Sequence, residues 1–522
     1  MLASEKQKHV VLLFSAFIIA ICGLIYELLA GTLSSYLLGD SIYHFSLVIG
    51  IFMSAMGLGA WISRYIDNNL PSTFIHLQVL IGLIGGLSTT FLFFAFAIIH
   101  NYTPLLFLIT SILGALLGIE IPLIIRILNK QTSLKLNVSN VFTADYIGAL
   151  IAALLFPLVL VPQLGLMRTG LFFGVINIAV ALLAWIIFKP ELAKRMSLLA
   201  SIIFSGIILI IGFIFSQQVT NHLESKLYQH QIIYAETTPY QRIVVTNYKQ
   251  RTRFYINGAL QFDSLDEYRY HESLVHPAMQ MAPAHENILI LGGGDGLTAR
   301  EVLKYTDVKK ITLVDLDPAV TQLFKDNTQL GKLNKDSLSD ERLIIINQDA
   351  WKYLEHSDQL FDVVIIDLPD PSNLNLSRLY STTFYTLLQQ HLSHAGVIVT
   401  QASSPLYSRE AFWSINETLK VSAGTAGSTD SADKGAWHTL PYHTYIPSFG
   451  EWGFILASRV NLEKIKLSNN TKPLKLRYLT PELLRSMQLF PPDMEPIEVE
   501  VNNIHSHKLL KYYQAGWAKW FN

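Results

Sequence analysis

Four short stretches in the C-terminal half set carboxylates where a parallel sheet would present them to a ligand. The first is Ile288-Leu-Ile-Leu-Gly292-Gly293-Gly294-Asp295-Gly296. An apolar strand ends there in glycines that let backbone approach a ligand, and a helix opens directly after them. The second is Val314-Asp315-Leu-Asp317, whose first acid ends the next strand about twenty residues on, placed to grip both hydroxyls of a ribose. The third, Gln348-Asp349-Ala350, follows an apolar run and puts a carboxylate where it can accept a bond from an adenine amino group. The fourth, Phe361-Asp-Val-Val-Ile-Ile-Asp367-Leu-Pro-Asp370-Pro371, ends a buried strand in two acids three residues apart. Acids at the carboxyl end of a parallel strand lie in the crevice where such sheets bind ligands. A glycine loop alone says little. The order strand, loop, helix, strand, acid points to a nucleoside-type ligand; for Asp367 the plainer alternative is a helix cap or a solvated loop acid.

The elements that must position these acids are legible around them. Strands are expected at 288–291, 311–314, 343–346, 363–366 and 397–401, with a helix over about 297–304 and helical patterns between later strands, as in a doubly wound parallel sheet. Before them, 242–246 and 253–256 alternate in polarity, and Asn257-Gly258 supplies a tight turn, which predicts a small antiparallel β unit. The Gly-, Ser- and Thr-rich run 422–435 reads as a surface loop.

Up to about residue 216 the texture differs. Seven apolar runs, 10–29, 42–62, 75–99, 104–128, 142–161, 166–188 and 196–215, each approach the ~20 residues a helix needs to cross a bilayer. The first reads as a retained helix rather than a cleaved signal, since it runs on through Glu27 with no small-residue cleavage site. Lys6, Lys8, Arg64, Arg126, Lys130, Lys135, Lys189, Lys194 and Arg195 fall on one side of the alternation and Arg168 on the other; the N-terminus is therefore expected in the cytoplasm. Seven crossings would leave the C-terminal half outside, whereas its chemistry favours a cytoplasmic position. Glu27, Glu120 and Asp145 lie in or beside these runs and are expected near interfaces or paired with Arg126 or Arg168, the alternative being a transport path. Gly82 and Gly86 read as a close helix contact.

Composition agrees. Charged residues are 15% and apolar ones 51%, with mean hydropathy +0.34, too apolar for a chain wholly in water. A net charge of −1 offers no broad basic surface for nucleic acid. The single cysteine, Cys22, excludes an internal disulfide, and the sixteen histidines include no H-E-x-x-H, so no metal is expected. The domains expected are a transmembrane helical part at 1–216, a small β part at 217–275 and a Rossmann-like part at 276–522.

Together, Gly292-Gly-Gly-Asp-Gly296, Arg300-Glu-Val-Leu-Lys304, Val314-Asp-Leu-Asp317, Asp367-Leu-Pro-Asp-Pro371, Asp266-Glu-Tyr-Arg-Tyr-His-Glu272 and Gln401-Ala-Ser-Ser-Pro405 resemble the signature of spermidine synthases. The resemblance spans 234–458, and the N-terminal half is similar to the membrane segment fused to some bacterial members. It implies a multi-pass α-helical membrane domain, then the β unit and an α/β Rossmann-like domain of the class I methyltransferase type. It also implies a cell-membrane location and self-association, since the family is commonly oligomeric. The implied reaction moves an aminopropyl group from decarboxylated S-adenosylmethionine to putrescine. Asp367 would take the amine's proton; Gln241, Gly292, Gly294, Asp295, Asp315, Asp349 and Ala350 would hold the donor; Tyr270, His271, Asp370 and Gln401 would hold the acceptor. Departures are Asp315 where the family usually has Glu, Leu368-Pro369 between the two acids, and Ile446 where a tyrosine is usual, unless Tyr445 substitutes. Rival readings are an S-adenosylmethionine-dependent methyltransferase, a polyamine transporter or sensor with a ligand-binding synthase-like domain, and, on the glycine loop alone, an NAD oxidoreductase.

Overall fold

The computed structural model describes residues 5–38, 41–99, 102–129, 133–192, 195–228, 230–422, 437–462 and 474–521. The chain divides into two compact units, Met1–Ile232 and Ile233–Asn522. The polar loop expected at 422–435 lies, beyond Ser422, outside the described residues.

The first unit is helical: α1 (Glu5–Leu38), α2 (Ser41–Ile62), α3 (Leu70–Ile98), α4 (Thr103–Leu128), α5 (Leu134–Leu155), α6 (Val161–Phe188) and α7 (Arg195–Leu227). Six stretches of it are long and apolar enough to cross a membrane. One, Leu134–Glu191, has 58 residues, enough for two crossings of ~20 residues each. It joins the fifth and sixth expected runs, broken at Gly165, whose backbone (φ 72°, ψ 174°) is not helical. The helices meet through small residues. A Cβ on Gly174 of α6 would sit 2.7 Å from the Gly82 carbonyl and 3.0 Å from the Gly86 Cα on α3, so that glycine pair is a packing seam.

Of the acids expected near interfaces or paired with Arg126 or Arg168, Glu120 has a different partner among the described residues. Glu120 is buried and accepts from the Gln78 amide. Arg126 instead donates to the carbonyls of Ser63 (2.7 Å) and Ile66 (3.0 Å), and Arg168 to the Ser216 hydroxyl at 3.0 Å.

The second unit opens with a sheet of β1 (Gln231–Thr237), β2 (Arg242–Tyr248), β3 (Arg251–Ile256) and β4 (Ala259–Asp263), in that order. Helix α8 (Glu267–Met281) leads to the main body: β5 (Asn287–Gly292), α9 (Leu297–Val302), β6 (Lys310–Asp315), α10 (Pro318–Asp326), α11 (Thr328–Asn334), β7 (Leu343–Asn347), α12 (Ala350–Glu355), β8 (Phe361–Asp367), α13 (Leu374–Ser377), α14 (Thr382–Gln390), β9 (Leu392–Gln401) and α15 (Arg409–Val421). The hairpin β10 (His438–Ile446) and β11 (Gly450–Ser458) follows, then α16 (Pro481–Ser486) and α17 (Lys508–Phe521).

The large sheet has the order β10-β11-β9-β8-β5-β6-β7. Strands β5 to β9 are parallel, and β11 runs against both β9 and β10. Chain order reverses between β5 and β8, which makes their carboxyl ends the ligand crevice. Both faces are covered, as a parallel sheet requires: Ile288, Ile290, Val363 and Ile365 feed one core, and Leu289, Leu291, Val364 and Ile366 the other. The closing hairpin is absent from the strands expected above. Its Pro441 argues against a strand, but β10 is the sheet edge, where a missing N–H costs nothing.

The C-terminal residues are tied to this body. The buried Glu272 carboxylate accepts from the backbone N–H of Arg477 (2.8 Å), Tyr478 (2.8 Å) and Leu479 (3.0 Å). Trp413 Nε1 donates to the Met494 carbonyl at 3.0 Å, and Asn502 Nδ2 to the Ser377 carbonyl at 2.8 Å. Replacing Glu272 by alanine leaves three backbone donors unpaired, so thermal unfolding of the full chain should show a loss of about 3 kcal/mol. Glu286→Ala, which removes only an exposed pair with Lys309, should change stability by less than ~0.5 kcal/mol.

Candidate active site

The glycine loop and the acids come together because β5 and β8 lie side by side. Gly292 sits opposite Asp367 in the ladder, and the Gly293 N–H donates to the Asp367 carbonyl at 3.1 Å. Gly292 has φ 82°, and a Cβ there would stand 2.2 Å from that same carbonyl; no other residue fits. Gly294 is tied to the next strand. Its N–H donates to Asp315 Oδ2 at 3.0 Å, and a Cβ on it would meet that oxygen at 2.6 Å.

Asp367 itself is held from two directions. Tyr270 of α8 donates to Oδ1 at 2.9 Å, and Thr298 of α9 donates to Oδ2 at 2.6 Å. Thr298 carried no signal in the sequence beyond lying one turn past the glycines. Asp295 folds back so that its Oδ1 accepts from the Leu297 N–H at 2.9 Å. Burial, reinforced by the Asp367 charge and opposed by His271, pushes its carboxyl up to about 6. Asp315 is also raised to about 6 by burial, against the hydrogen bonds from Asp317 and Gly294. Asp370 reaches about 6 by burial too, against the Ser403 hydroxyl that donates to its Oδ2 at 3.3 Å.

His271 is not a free ligand. Its Nδ1 lies 2.9 Å from Glu267 Oε2. Burial would lower its affinity for a proton, but Glu267, then Asp367 and Asp295, raise it to about 9. The imidazolium is therefore the local counter-charge to the acids. Glu267 is anchored in turn by Arg300, through NH1 at 3.0 Å and NH2 at 2.8 Å. Gln401, expected at a ligand, is buried and braces the acid loop: its Nε2 donates to the Leu368 carbonyl (2.9 Å) and to the Tyr380 hydroxyl (2.7 Å).

The remaining residues lie around this centre. Gln241 closes the turn between β1 and β2, whose Thr238 hydroxyl donates to Asp317 Oδ2 at 2.7 Å. Asp349 is committed as the cap of α12, accepting from Trp351 (2.9 Å) and Lys352 (3.2 Å), and its other oxygen meets Arg378. Both oxygens are held by these neighbours, and Ala350 opens the same helix in the core. Near the late turn, Asp266 accepts from the Ser448 N–H (2.7 Å) and hydroxyl (2.9 Å). Ile446 is buried there, while Tyr445 is 55% exposed.

Residues 267–468 match the family model described as a spermine/spermidine synthase domain. The chain is 44% identical to a polyamine aminopropyltransferase of Leptospira interrogans over 508 residues, covering 97% of this chain and 99% of that one. It is 42% identical to polyamine aminopropyltransferase 2 of Ralstonia nicotianae, with 98% and 99% coverage. The crystal structure of spermidine synthase from Thermotoga maritima aligns with 50% of this chain and 84% of its own, at 26% identity and a TM-score of 0.42.

The raised acids carry a stability consequence with a definite sign. A folded carboxyl near 6, against ~3.9 unfolded, holds its proton more tightly in the native state. Its contribution is full below pH ~4 and is lost as pH rises through about 6. Asp295→Asn keeps an acceptor for Leu297 and removes the buried charge. In urea unfolding it should be more stable than the parent by about 1–2 kcal/mol at pH 7.5, with the gain gone at pH 4.

Proposed function

The chain belongs to the polyamine aminopropyltransferase family, and from that membership and its acid-lined rim we propose that it moves the aminopropyl group of decarboxylated S-adenosylmethionine to putrescine, giving spermidine and methylthioadenosine. The observation that carries this reading is the Asp367 carboxylate, fixed by Tyr270 and Thr298 beside the glycine loop.

In this reading the donor's ribose lies over Asp315 and its nucleoside approaches the backbone of Gly292 and Gly294, with Gln241 at the neighbouring turn and Asp349-Ala350 at the adenine end. Its aminopropyl ammonium faces Asp295. The acceptor diamine enters beside Tyr270, with its far ammonium toward Asp370. An alkyl ammonium has a pKa near ~10, so the attacking nitrogen must give up a proton, and Asp367 is placed to receive it. The amine lone pair then forms the new C–N bond as the C–S bond breaks and its electron pair returns to sulfur, which leaves as a neutral thioether. Alignment in the crevice contributes alongside proton removal. His271 and Gln401 serve as counter-charge and brace.

The choice of donor is electrostatic. S-adenosylmethionine carries a carboxylate where the decarboxylated form has only an ammonium, and Asp295 and Asp367 repel that carboxylate. Methyl transfer is disfavoured on the same ground.

We also take the helical unit to lie in a lipid bilayer. Lys8 pairs with Glu191 at 2.7 Å, and Arg168 meets Ser216 at 3.0 Å, which puts the start of α1 and the last residues of the sixth apolar run at one end and Ser216 at the other. Two constraints on sidedness then oppose each other: basic loops favour Lys8 inside, whereas cytosolic donor and diamine favour the second unit inside. Protease protection in intact cells decides between them.

Asp367→Asn should bind the donor within about three-fold of the parent by calorimetry and lower kcat by ~10²–10⁴-fold. Product mass after incubation with putrescine should show aminopropyl addition from the decarboxylated donor and no methylated amine from S-adenosylmethionine. A methylated product would overturn the assignment.

A further inference from the structure

We infer that Tyr380 is a positioning residue that sets acceptor specificity: its hydroxyl holds the two peptide groups between Asp367 and Asp370, and so fixes the span against which the length of a diamine is measured. This rests on the aminopropyltransferase reading and adds to it a residue that acts through the chain between the two acids.

The ends of the span are anchored separately. Asp367 is fixed by Tyr270 at 2.9 Å and Thr298 at 2.6 Å. Three residues on, the Ser403 hydroxyl donates to Asp370 Oδ2 at 3.3 Å, while Asp370 Oδ1 is buried with no hydrogen-bond partner among the described residues. That is a costly state for a carboxylate unless a cation arrives. A diamine with its attacking nitrogen at Asp367 and its far ammonium at Asp370 is sorted by carbon count only if the chain between the acids keeps its shape.

That chain is held at every carbonyl. The Asp367 carbonyl accepts from the Gly293 N–H at 3.1 Å, and the Asp370 carbonyl from the Ser372 N–H at 2.7 Å. Between them, the Tyr380 hydroxyl donates to the carbonyls of Pro369 (3.1 Å) and Leu368 (3.3 Å), one proton shared by two consecutive acceptors. Its oxygen accepts in turn from Gln401 Nε2 at 2.7 Å, and the same Nε2 reaches the Leu368 carbonyl at 2.9 Å. Pro369 stiffens the spacer further, since its ring fixes its own φ and restricts Leu368 to extended backbone.

Tyr380 has little room to drift. It ends the single turn Arg378–Tyr380 that follows α13, and its side chain is fully buried. Its own carbonyl accepts from Asn502 Nδ2 at 3.1 Å, and Asn502 also grips the Ser377 carbonyl at 2.8 Å. A phenylalanine ring would fill the same space and take the phenol's hydrogen bond from both spacer carbonyls. The acids would keep their own partners and lose the fixed distance between them.

The test uses the full chain in detergent or nanodiscs, with α,ω-diamines of three, four and five carbons. The parent should favour its preferred diamine over those one methylene away by ~10-fold or more in kcat/KM. In Tyr380→Phe that ratio should shrink about five-fold, the size of one hydrogen bond, with calorimetric affinity for decarboxylated S-adenosylmethionine unchanged as proof of an intact fold. Pro369→Ala, which frees the same backbone from within, should relax the ratio in the same direction, and it decides the matter if Tyr380→Phe fails to bind the donor. Discrimination equal to the parent's, or a loss shared evenly by all three diamines, overturns the inference alone, as does a parent that uses the three equally well. A parent that aminopropylates no diamine overturns the underlying reading as well.

Discussion

Everything at the site depends on keeping several carboxylates close together at the rim of one sheet without letting them repel one another apart. Unpaired charges in a poorly solvated crevice are expensive, and like charges side by side add to the cost. The second unit meets that cost with a chain of partners. His271 supplies positive charge to Asp295 and Asp367, Glu267 keeps His271 protonated, and His271 followed by Arg300 keeps Glu267 ionised, holding its carboxyl down to about 2 against the effect of burial. Arg300 also meets Glu301, which in turn reaches His276. The acids that face a ligand thus sit on a buried lattice of alternating charge, most of it contributed by α8 and α9.

Much of this was legible in the residues themselves. The five parallel strands and the glycine loop could be read because strands buried on both faces are continuous apolar runs and because a strand-to-helix turn against a neighbouring strand needs glycine. The positions of Asp295, Asp315 and Asp367 followed from the strand ends. What stayed hidden depends on long-range contact. Gln401, expected at a ligand, also braces the acid loop, because the bend of the chain after Asp367 brings the Leu368 carbonyl to it. Asp349, expected to accept from an adenine, also caps a helix with an arginine beside it. Thr298 gives no local pattern at all; it lies inside a short helix and meets Asp367 only through the fold. The edge hairpin was hidden by a proline that only an edge strand tolerates.

The helical unit follows a different logic. Its helices approach most closely where side chains are smallest, at Gly82, Gly86 and Gly174. Two of its buried polar pairs close within it: the Gln78 amide donates to Glu120, and the Asn177 amide donates to the Tyr26 hydroxyl at 2.8 Å.

Ser403 shows how such a site resists improvement. Its left-handed backbone would suit glycine better, by ~1 kcal/mol, yet glycine would take away the hydroxyl that reaches Asp370. A search for sturdier variants of this enzyme would be drawn to that position, and the hardier protein it found would leave Asp370 without that hydroxyl. Backbone ease and a polar contact are traded against each other at a single torsion angle.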